Sequence, residues 1–191
     1  MSGLLAVSYF LSTLFFSVVL FVLWTRLALR YFKISVLHPV SHAIYTFTDP
    51  LVKPLERFIS PQKKLSQCYD WPCFALLILV ELCKFVLLGF LLYGTLIPVS
   101  YLLLFVLADL ITQPCNFLFY LILIRVIMSW VNPHWHHPVA DVIKIITDPL
   151  LILGRRLIPD ISGFDFSPFI VMVVLKAIAL FMSASLPLRL V

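Results

Sequence analysis

Charged residues are scarce in this chain: they fill 12% of its 191 positions, whereas 62% of the positions are hydrophobic. An ordinary soluble domain carries about twice that share of charge, so a soluble globular surface is excluded. Four stretches with almost no charge are each long enough to cross a hydrocarbon core of about 30 Å; they cover residues 4–24, 73–94, 110–131 and 168–186. The sequence predicts an all-α membrane protein with four transmembrane helices.

Cysteine is also sparse, and none of the four cysteines stands in a CxxC or CxxCH pattern, which argues against a disulfide or a haem-attachment site. Three histidines, His134, His136 and His137, lie within four positions. No cysteine or carboxylate follows them at the spacing of a zinc site. We therefore expect no cofactor and no metal, and we interpret these histidines as interfacial or helix-capping groups.

Lysine and arginine are unevenly placed along the chain. Seven lie between the first and second spans and four at or after the end of the third, whereas Arg189 alone lies on the opposite side. By the positive-inside rule, both long loops are cytoplasmic and both termini lie outside. Topology and anionic lipid headgroups then explain the net charge of +5, so we expect no nucleic-acid partner.

Two stretches of the chain repeat each other at a fixed offset of 99 residues. The shared residues are His38-Pro39-Val40 with His137-Pro138-Val139, Thr48-Asp49-Pro50-Leu51 with Thr147-Asp148-Pro149-Leu150, Arg26 with Arg125, and Arg57 with Arg156. Beyond Arg57 the offset becomes 95, so that Asp70 corresponds to Asp165. We infer two tandem units, 1–95 and 96–191, each with two spans. An even number of spans gives the units the same orientation, and their pseudo-twofold axis runs along the membrane normal.

The loop inside each unit has apolar residues at helical spacing, as in Val139, Val142, Ile143 and Ile146. Pro138 suits the first position of that helix. Because a residue before proline resists the α conformation, we expect a break before Pro149, with Asp148 as N-cap of a second helix.

Each loop would thus hold two short interfacial amphipathic helices. By similar reasoning, Pro114 is expected to kink or interrupt a long helix over 98–131. Ser167 and Pro168 are expected to form the N-cap and first turn of the last span, with Asp165 nearby.

Three charges lie near the middle of the spans: Glu81, Lys84 and Lys176. Glu81 and Lys84 share one helix face and are close enough to pair. Lys176 corresponds to Glu81 in the repeat, so these two lie at similar depth and a pair between them is plausible. Such charges are rarely left alone in a membrane. They act either as a clamp between helices or, as the alternative, in conduction.

The cytoplasmic loops hold the remaining candidates. Thr48-Asp49 and Thr147-Asp148 contain hydroxyl and carboxylate groups, but no nucleophile and base surround them, so we expect no enzyme. Arg57, Arg155 and Arg156 are suited to bidentate contacts with lipid phosphates or with a partner's carboxylates. Snorkelling at the membrane edge is an equally good interpretation.

The second unit resembles the YggT family of small membrane proteins. The resemblance is carried by Asn132-Pro133, His137-Pro138, Thr147-Asp148-Pro149-Leu150, Arg155-Arg156-Leu157-Ile158-Pro159 and Asp165-Phe166-Ser167-Pro168. The first unit departs from this signature, since Glu56-Arg57 replaces Arg-Arg and Asp70-Trp71-Pro72 replaces the last motif. The resemblance implies a bacterial inner-membrane protein without an assigned reaction. Family members are linked to osmotic stress, potassium uptake, division or haem attachment.

Our leading hypothesis is a non-enzymatic membrane scaffold or assembly factor, because a surface element is repeated while the intramembrane charges are not. Its partners would be anionic lipid headgroups and another membrane protein or a further copy of the chain. The alternative is a subunit of an ion or osmolyte channel or transporter, motivated by Glu81, Lys84, Asp109 and Lys176.

Overall fold

The computed structural model describes residues 3–59, 70–95, 97–131, 137–157 and 165–186. These residues form six α-helices and no strand. The helices are α1 (Gly3–Tyr31), α2 (Pro39–Ile59), α3 (Trp71–Tyr93), α4 (Val99–Val131), α5 (Pro138–Leu157) and α6 (Ser167–Ala184). The prediction of an all-α protein is confirmed. Asn132, Pro133, His134, His136 and Pro159, which the family signature or the histidine cluster singled out, lie outside the described residues.

Four of the helices, α1, α3, α4 and α6, are long and apolar enough to cross a membrane. They coincide with the four predicted spans, and this is the architecture of a multi-pass membrane protein. Helix α4 has 33 residues, which corresponds to about 50 Å. It continues through Pro114, so this proline does not interrupt the helix.

Helices α2 and α5 correct the expectation of two short helices in each loop. Helix α2 runs through Pro50 and Pro54, and α5 runs through Pro149, without a break. Asp148 therefore lies inside a helix and is not an N-cap. An internal proline costs roughly 3 kcal/mol. Burial of one helix face and the ion pairs described below act on the same turn and oppose that cost.

Helix α4 lies at the centre of the fold and packs against α1, α3, α5 and α6. Helices α1, α2 and α3 pack on one another, and so do α4, α5 and α6. The two groups meet in an apolar cluster in which Leu29 of α1, Phe117 of α4 and Ile143 of α5 are buried. Because α2 also packs against α5, each loop helix contacts the other as well as the spans beside it.

The predicted apolar stripe is only partly buried. On α5, Val142, Ile143 and Ile146 are buried, whereas Val139 is exposed. On α2, Phe47, which corresponds to the buried Ile146, is exposed. Helix periodicity therefore located the buried face of α5 better than that of α2.

The start of α6 is held by Asp165 and packs tightly on α5. The Asp165 carboxylate accepts hydrogen bonds from the backbone N–H of Ser167, at 2.9 Å, and from the Ser167 hydroxyl. The N-cap position is Phe166, so Ser167 is the first helical residue and not the cap. A methyl group added at Gly154 of α5 would lie 2.8 Å from Val171 and 3.3 Å from the Ser167 carbonyl oxygen. Glycine permits this close approach of the two helices.

Candidate functional site

A buried arginine joins three helices of the first half of the chain. From α1, Arg26 donates through Nη1 to Thr48 Oγ1 at 2.6 Å and to Asp49 Oδ1 at 2.8 Å, both on α2. Its Nε donates to Asp70 Oδ2, just before α3, at 3.1 Å. Arg30 forms a second ion pair with Asp70, also at 3.1 Å. We call Arg26, Thr48, Asp49 and Asp70 the first clamp.

The first clamp is largely withdrawn from solvent, since the side chain of Arg26 is 5% exposed and that of Asp70 3%. The guanidinium carbon of Arg26 lies 4.6 Å from the centre of the Tyr45 ring, and burial raises the pKa of Tyr45. Burial also acts to raise the pKa of Asp49, but hydrogen bonds from Lys53 and Arg26 outweigh it. The pKa of Asp49 therefore lies below its ordinary value, and its charged form belongs to the folded state.

A matching arrangement occurs in the second half of the chain. From α4, Arg125 donates through Nη1 to Thr147 Oγ1 at 2.7 Å and to Asp148 Oδ1 at 2.6 Å on α5. We call these three residues the second clamp. In both clamps the threonine hydroxyl also donates to the backbone carbonyl four residues earlier, Ile44 or Ile143. Arg125 is 23% exposed and Asp148 52%, so the second clamp is the wetter of the two.

The aspartate before the second span of each half is bound differently in the two halves. Asp70 is held by Arg26 and Arg30 of α1. Asp165 is held by Arg155 of α5, whose Nε and Nη2 donate to Oδ2 at 2.9 and 2.7 Å. Hydrogen bonds from Ser167 and Arg155 outweigh the effect of burial and lower the pKa of Asp165.

The sequence accounts for this exchange of partners. Glu56 occupies the position in α2 that corresponds to Arg155, and a glutamate cannot neutralise Asp70. Arg30 supplies the second cation there, whereas Ser129 occupies the corresponding position in α4. Each half thus has one arginine that the other lacks at the corresponding position. Asp70 pairs with Arg30 of α1, whereas Asp165 pairs with Arg155 of α5. Arg155 of the signature consequently has a partner within the chain.

A cluster of charges lies between α3 and α4. Lys84 pairs with Asp109 and lies 3.5 Å from Glu81. Gln113 donates to Asp109 at 3.2 Å. The side chains of Glu81, Lys84 and Asp109 are 0%, 6% and 2% exposed, so these groups face one another in the interior of the protein. One oxygen of Glu81, Oε1, is buried without a hydrogen-bond partner among the described residues.

Lys176 does not pair with Glu81, which corrects the expectation from the repeat. Helix α4 packs against both α3 and α6, and α3 makes no contact with α6 among the described residues. Lys176 instead donates to Asn116 Oδ1 of α4 at 2.9 Å. Its ammonium lies 4.8 Å from the centre of the Phe119 ring and 5.7 Å from that of Tyr120.

The histidines and prolines of the repeated motif lie at helix starts. Pro39 and Pro138 are the first residues of α2 and α5, as predicted. His137 Nδ1 accepts the backbone N–H of Val139 at 3.2 Å, a helix-capping contact. His38 Nδ1 is buried with no such partner among the described residues. The same motif is therefore used differently at its two occurrences.

The two remaining arginines of the motif are exposed near the ends of the loop helices. Arg57 lies in the last turn of α2 and Arg156 in the last turn of α5. Among the described residues neither one forms an ion pair with a carboxylate. They are therefore available for phosphate or carboxylate oxygens from outside the chain.

Sequence reasoning named Arg26, Arg125 and Asp70 only as repeated residues and not as site residues, and it named Asp109 only among the charges of the channel alternative. The repetition of Arg26 and Arg125 at the same offset as the Thr-Asp pairs was the available signal. Asp109 had no such signal, because its partner lies on another helix. Across the described parts of the chain, no three histidine, cysteine or carboxylate side chains are grouped as a metal site would require. The clusters combine opposite charges and hydroxyls, so their chemistry is that of fastening helices together.

Comparison with known proteins agrees with the resemblance in the signature. The family model described as CCB3/YggT matches residues 5–91 and 104–186. An uncharacterised protein of Pseudomonas aeruginosa is 29% identical over 174 residues, which cover 91% of this chain and 86% of the relative. An uncharacterised protein of Vibrio alginolyticus is 30% identical over 172 residues, 90% of each chain. The uncharacterised protein YggT of Escherichia coli K12 is 28% identical over 157 residues, 82% of this chain and 79% of the relative. No solved structure matches the chain.

Proposed function

Because the chain belongs to the CCB3/YggT family, we propose that it is a non-enzymatic scaffold or assembly factor of the bacterial inner membrane, linked to osmotic-stress tolerance or division. The observation that carries this proposal is the clamp built twice. Arg26 and Arg125 each hold the Thr-Asp pair of an amphipathic helix against the end of a long apolar helix. Two matched clamps that fix surface helices suit a protein that presents those helices to a partner.

In this proposal the chain consists of two tandem units, 1–95 and 96–191, that cross the membrane in the same orientation. Supporting this are the repeated clamp contacts and the match of one family model to residues 5–91 and 104–186. Helices α2 and α5 lie at the cytoplasmic membrane interface, and both termini lie outside. The clustering of lysine and arginine between the spans of each unit supports this orientation.

The presented surface combines apolar and basic side chains. Phe47 and Leu51 are exposed on α2, and Ile152 and Leu153 are exposed on α5. Arg57 and Arg156 follow them in the last turns. Apolar side chains suit the acyl boundary and arginines suit phosphates or carboxylates. Anionic lipids and another membrane protein are therefore the partners that we propose.

The alternative is a channel or transporter subunit for potassium, another ion or an osmolyte. A conducting path needs polar groups that meet water, whereas Glu81, Lys84 and Asp109 contact one another and are buried. Their burial supports the scaffold over the channel. Intramembrane charges that stabilise a fold are expected to pair with opposite charges, as Lys84 does here with Asp109 of the neighbouring helix.

The scaffold is tested by cross-linking from α5 in native membranes. A photoreactive residue at position 153, beside the exposed arginine, is expected to capture a membrane protein, and Arg156→Ala is expected to reduce that capture. Lys144→Ala, which removes an exposed cation elsewhere on α5, is the matched control and is expected to leave the capture unchanged. The measurement is paired with growth of a deletion strain under osmotic and potassium stress. Lipid adducts alone, together with unchanged growth, would contradict a protein-binding scaffold.

The alternative has its own decisive measurement. The purified chain is reconstituted in vesicles, and potassium flux is compared with that of Glu81→Gln and Lys176→Met. The scaffold predicts no flux above that of empty vesicles. Flux in the native chain that disappears in a variant of unchanged thermal stability would replace the scaffold with a channel.

A further inference from the structure

Lys176 lies near the middle of α6, the shortest of the four long apolar helices. The helix has 18 residues, from Ser167 to Ala184, so its length of about 27 Å is close to the thickness of the hydrocarbon core. Lys176 is nine residues from one end and eight from the other, roughly 12–14 Å from each. Its ammonium group therefore lies deep in the bilayer. Lysines near the ends of a spanning helix can extend to the headgroups, but Lys176 is too far from either end to do so.

The described neighbours of Lys176 orient its ammonium without neutralising it. Asn116 accepts a hydrogen bond at 2.9 Å, and the rings of Phe119 and Tyr120 lie beside the charge. All three groups are uncharged, and no carboxylate oxygen of the described residues lies within ion-pair distance of Lys176. Lys84, at a comparable place in α3, has both Glu81 and Asp109. An intramembrane charge of this kind normally marks a partner or a functional site.

A second copy of the chain does not offer the missing carboxylate. Within the described long apolar helices, the carboxylates are those of Glu81 and Asp109. Both are almost completely buried and already face Lys84. A lipid phosphate belongs to the headgroup region, far from the middle of the helix. The group that fits is a carboxylate on a transmembrane helix of a different protein.

The surface around Lys176 is suited to such a helix. Lys176 is partly exposed on the side of α6 that faces Asn116 of α4. Phe169, Val173 and Leu180 are exposed on the same side of α6, and Tyr120 is exposed on α4. A polar contact surrounded by apolar and aromatic side chains is the usual form of an interaction hot spot.

We propose that this face of α6, beside α4, binds a transmembrane helix of another membrane protein, one that carries an aspartate or glutamate at mid-bilayer depth opposite Lys176. The proposal rests on the scaffold function above and specifies the chemistry of its partner. The contact is separate from the cytoplasmic surface of α5, so each is tested without the other.

The experiment places a photoreactive residue at Val173 in the full chain and cross-links it in native membranes. The native Lys176 and Lys176→Arg are expected to give the same protein adduct, and Lys176→Met is expected to lower its yield by at least about tenfold. A photoreactive residue at the exposed Leu79 of α3 is the matched control and is expected to give no such adduct. Thermal unfolding of each variant is measured alongside, and an unchanged midpoint assigns the lost adduct to the contact.

Charge exchange completes the test. After the adduct is identified by mass spectrometry, its intramembrane carboxylate is changed to lysine and combined with Lys176→Glu. Recovery of the adduct in the doubly exchanged pair is the expected result. An adduct that is insensitive to Lys176→Met, one formed with a second copy or with lipid only, or a captured protein without an intramembrane carboxylate would each overturn the proposal. If position 153 still captures a protein, the scaffold stands and this contact alone is rejected.

Discussion

The two halves of the chain use the same kinds of residues with opposite degrees of burial. In the first half, Arg26 is buried with two carboxylates, and Lys84 lies between Glu81 of its own helix and Asp109 of α4. In the second half, Arg125 and Asp148 are partly exposed, and Lys176 has an amide and aromatic rings in place of a carboxylate. The buried cations of the first half, Arg26 and Lys84, thus have carboxylate partners within the chain, whereas Arg125 is partly exposed and Lys176 has no carboxylate partner among the described residues.

The complete family signature lies in the half whose charged groups are the more exposed. A buried cluster of opposite charges joins helices but is inaccessible to other molecules. The exposed second clamp and Lys176 remain within reach of a partner. We infer that the first half is mainly the structural frame and that the second half carries the contacts with other molecules.

The largest effect is expected from Lys84→Met. Removing this ammonium leaves Glu81 and Asp109 facing each other without a cation in a dry site, which costs about 3–5 kcal/mol in the free energy of unfolding. Lys176→Met is the matched control and should change stability little, because it breaks no ion pair among the described residues. Unfolding of the full chain in nanodiscs measures both variants. Equal losses would remove the contrast between the two intramembrane lysines.

The next effect separates the two clamps. Arg26→Ala is expected to lower the free energy of unfolding by about 3 kcal/mol, because it breaks a buried cluster. Arg125→Ala is expected to lower it by about 1 kcal/mol, because water reaches that pair. Limited proteolysis should detect earlier release of α2 in the first variant than of α5 in the second. Arg26→Lys and Arg125→Lys serve as charge-retaining controls. The reverse order would show that exposure does not measure the strength of these clamps.

A smaller effect tests the exchange of partners between Asp70 and Asp165. Arg155→Glu reproduces Glu56 of the first half. It should lower the free energy of unfolding by up to about 1 kcal/mol, since the Arg155–Asp165 pair is exposed. Adding Ser129→Arg copies Arg30 and should recover part of the loss. The interaction energy comes from a double-mutant cycle with Ser129→Arg as the other single variant. Additive losses would mean that α4 cannot replace α5 as the source of the cation.

The smallest effect is on pH dependence. The pKa values of Asp49 and Asp165 are lowered in the folded state, so their stabilisation is complete above the ordinary aspartate pKa of about 4 and is lost as the pH falls below it. Unfolding midpoints between pH 7 and pH 3 should therefore drop less in Asp49→Asn/Asp165→Asn than in the native chain. Identical pH profiles would contradict the assigned ion pairs.

Much of this architecture could be predicted because membrane spans depend on local hydropathy and length. The all-α class, the four helices long and apolar enough to cross a membrane, and the family were predicted from the sequence and are confirmed. Asp148 shows the limit of that reasoning. Its place before Pro149 indicated an N-cap, yet α5 continues and Asp148 binds Arg125 from another helix. Asp109 was named only as a charge, because nothing in its neighbourhood along the chain points to Lys84.

Short-range patterns of apolar and motif residues were sufficient to predict that the chain is helical and membrane-like, where its long apolar helices lie and which family it belongs to. Which charges pair with one another depends on the packing of the helices. Placing α4 between α3 and α6 separates Glu81 from Lys176, pairs Lys84 with Asp109 and leaves Lys176 without a carboxylate. Charge pairing depends on distances between helices, and a local pattern does not contain those distances.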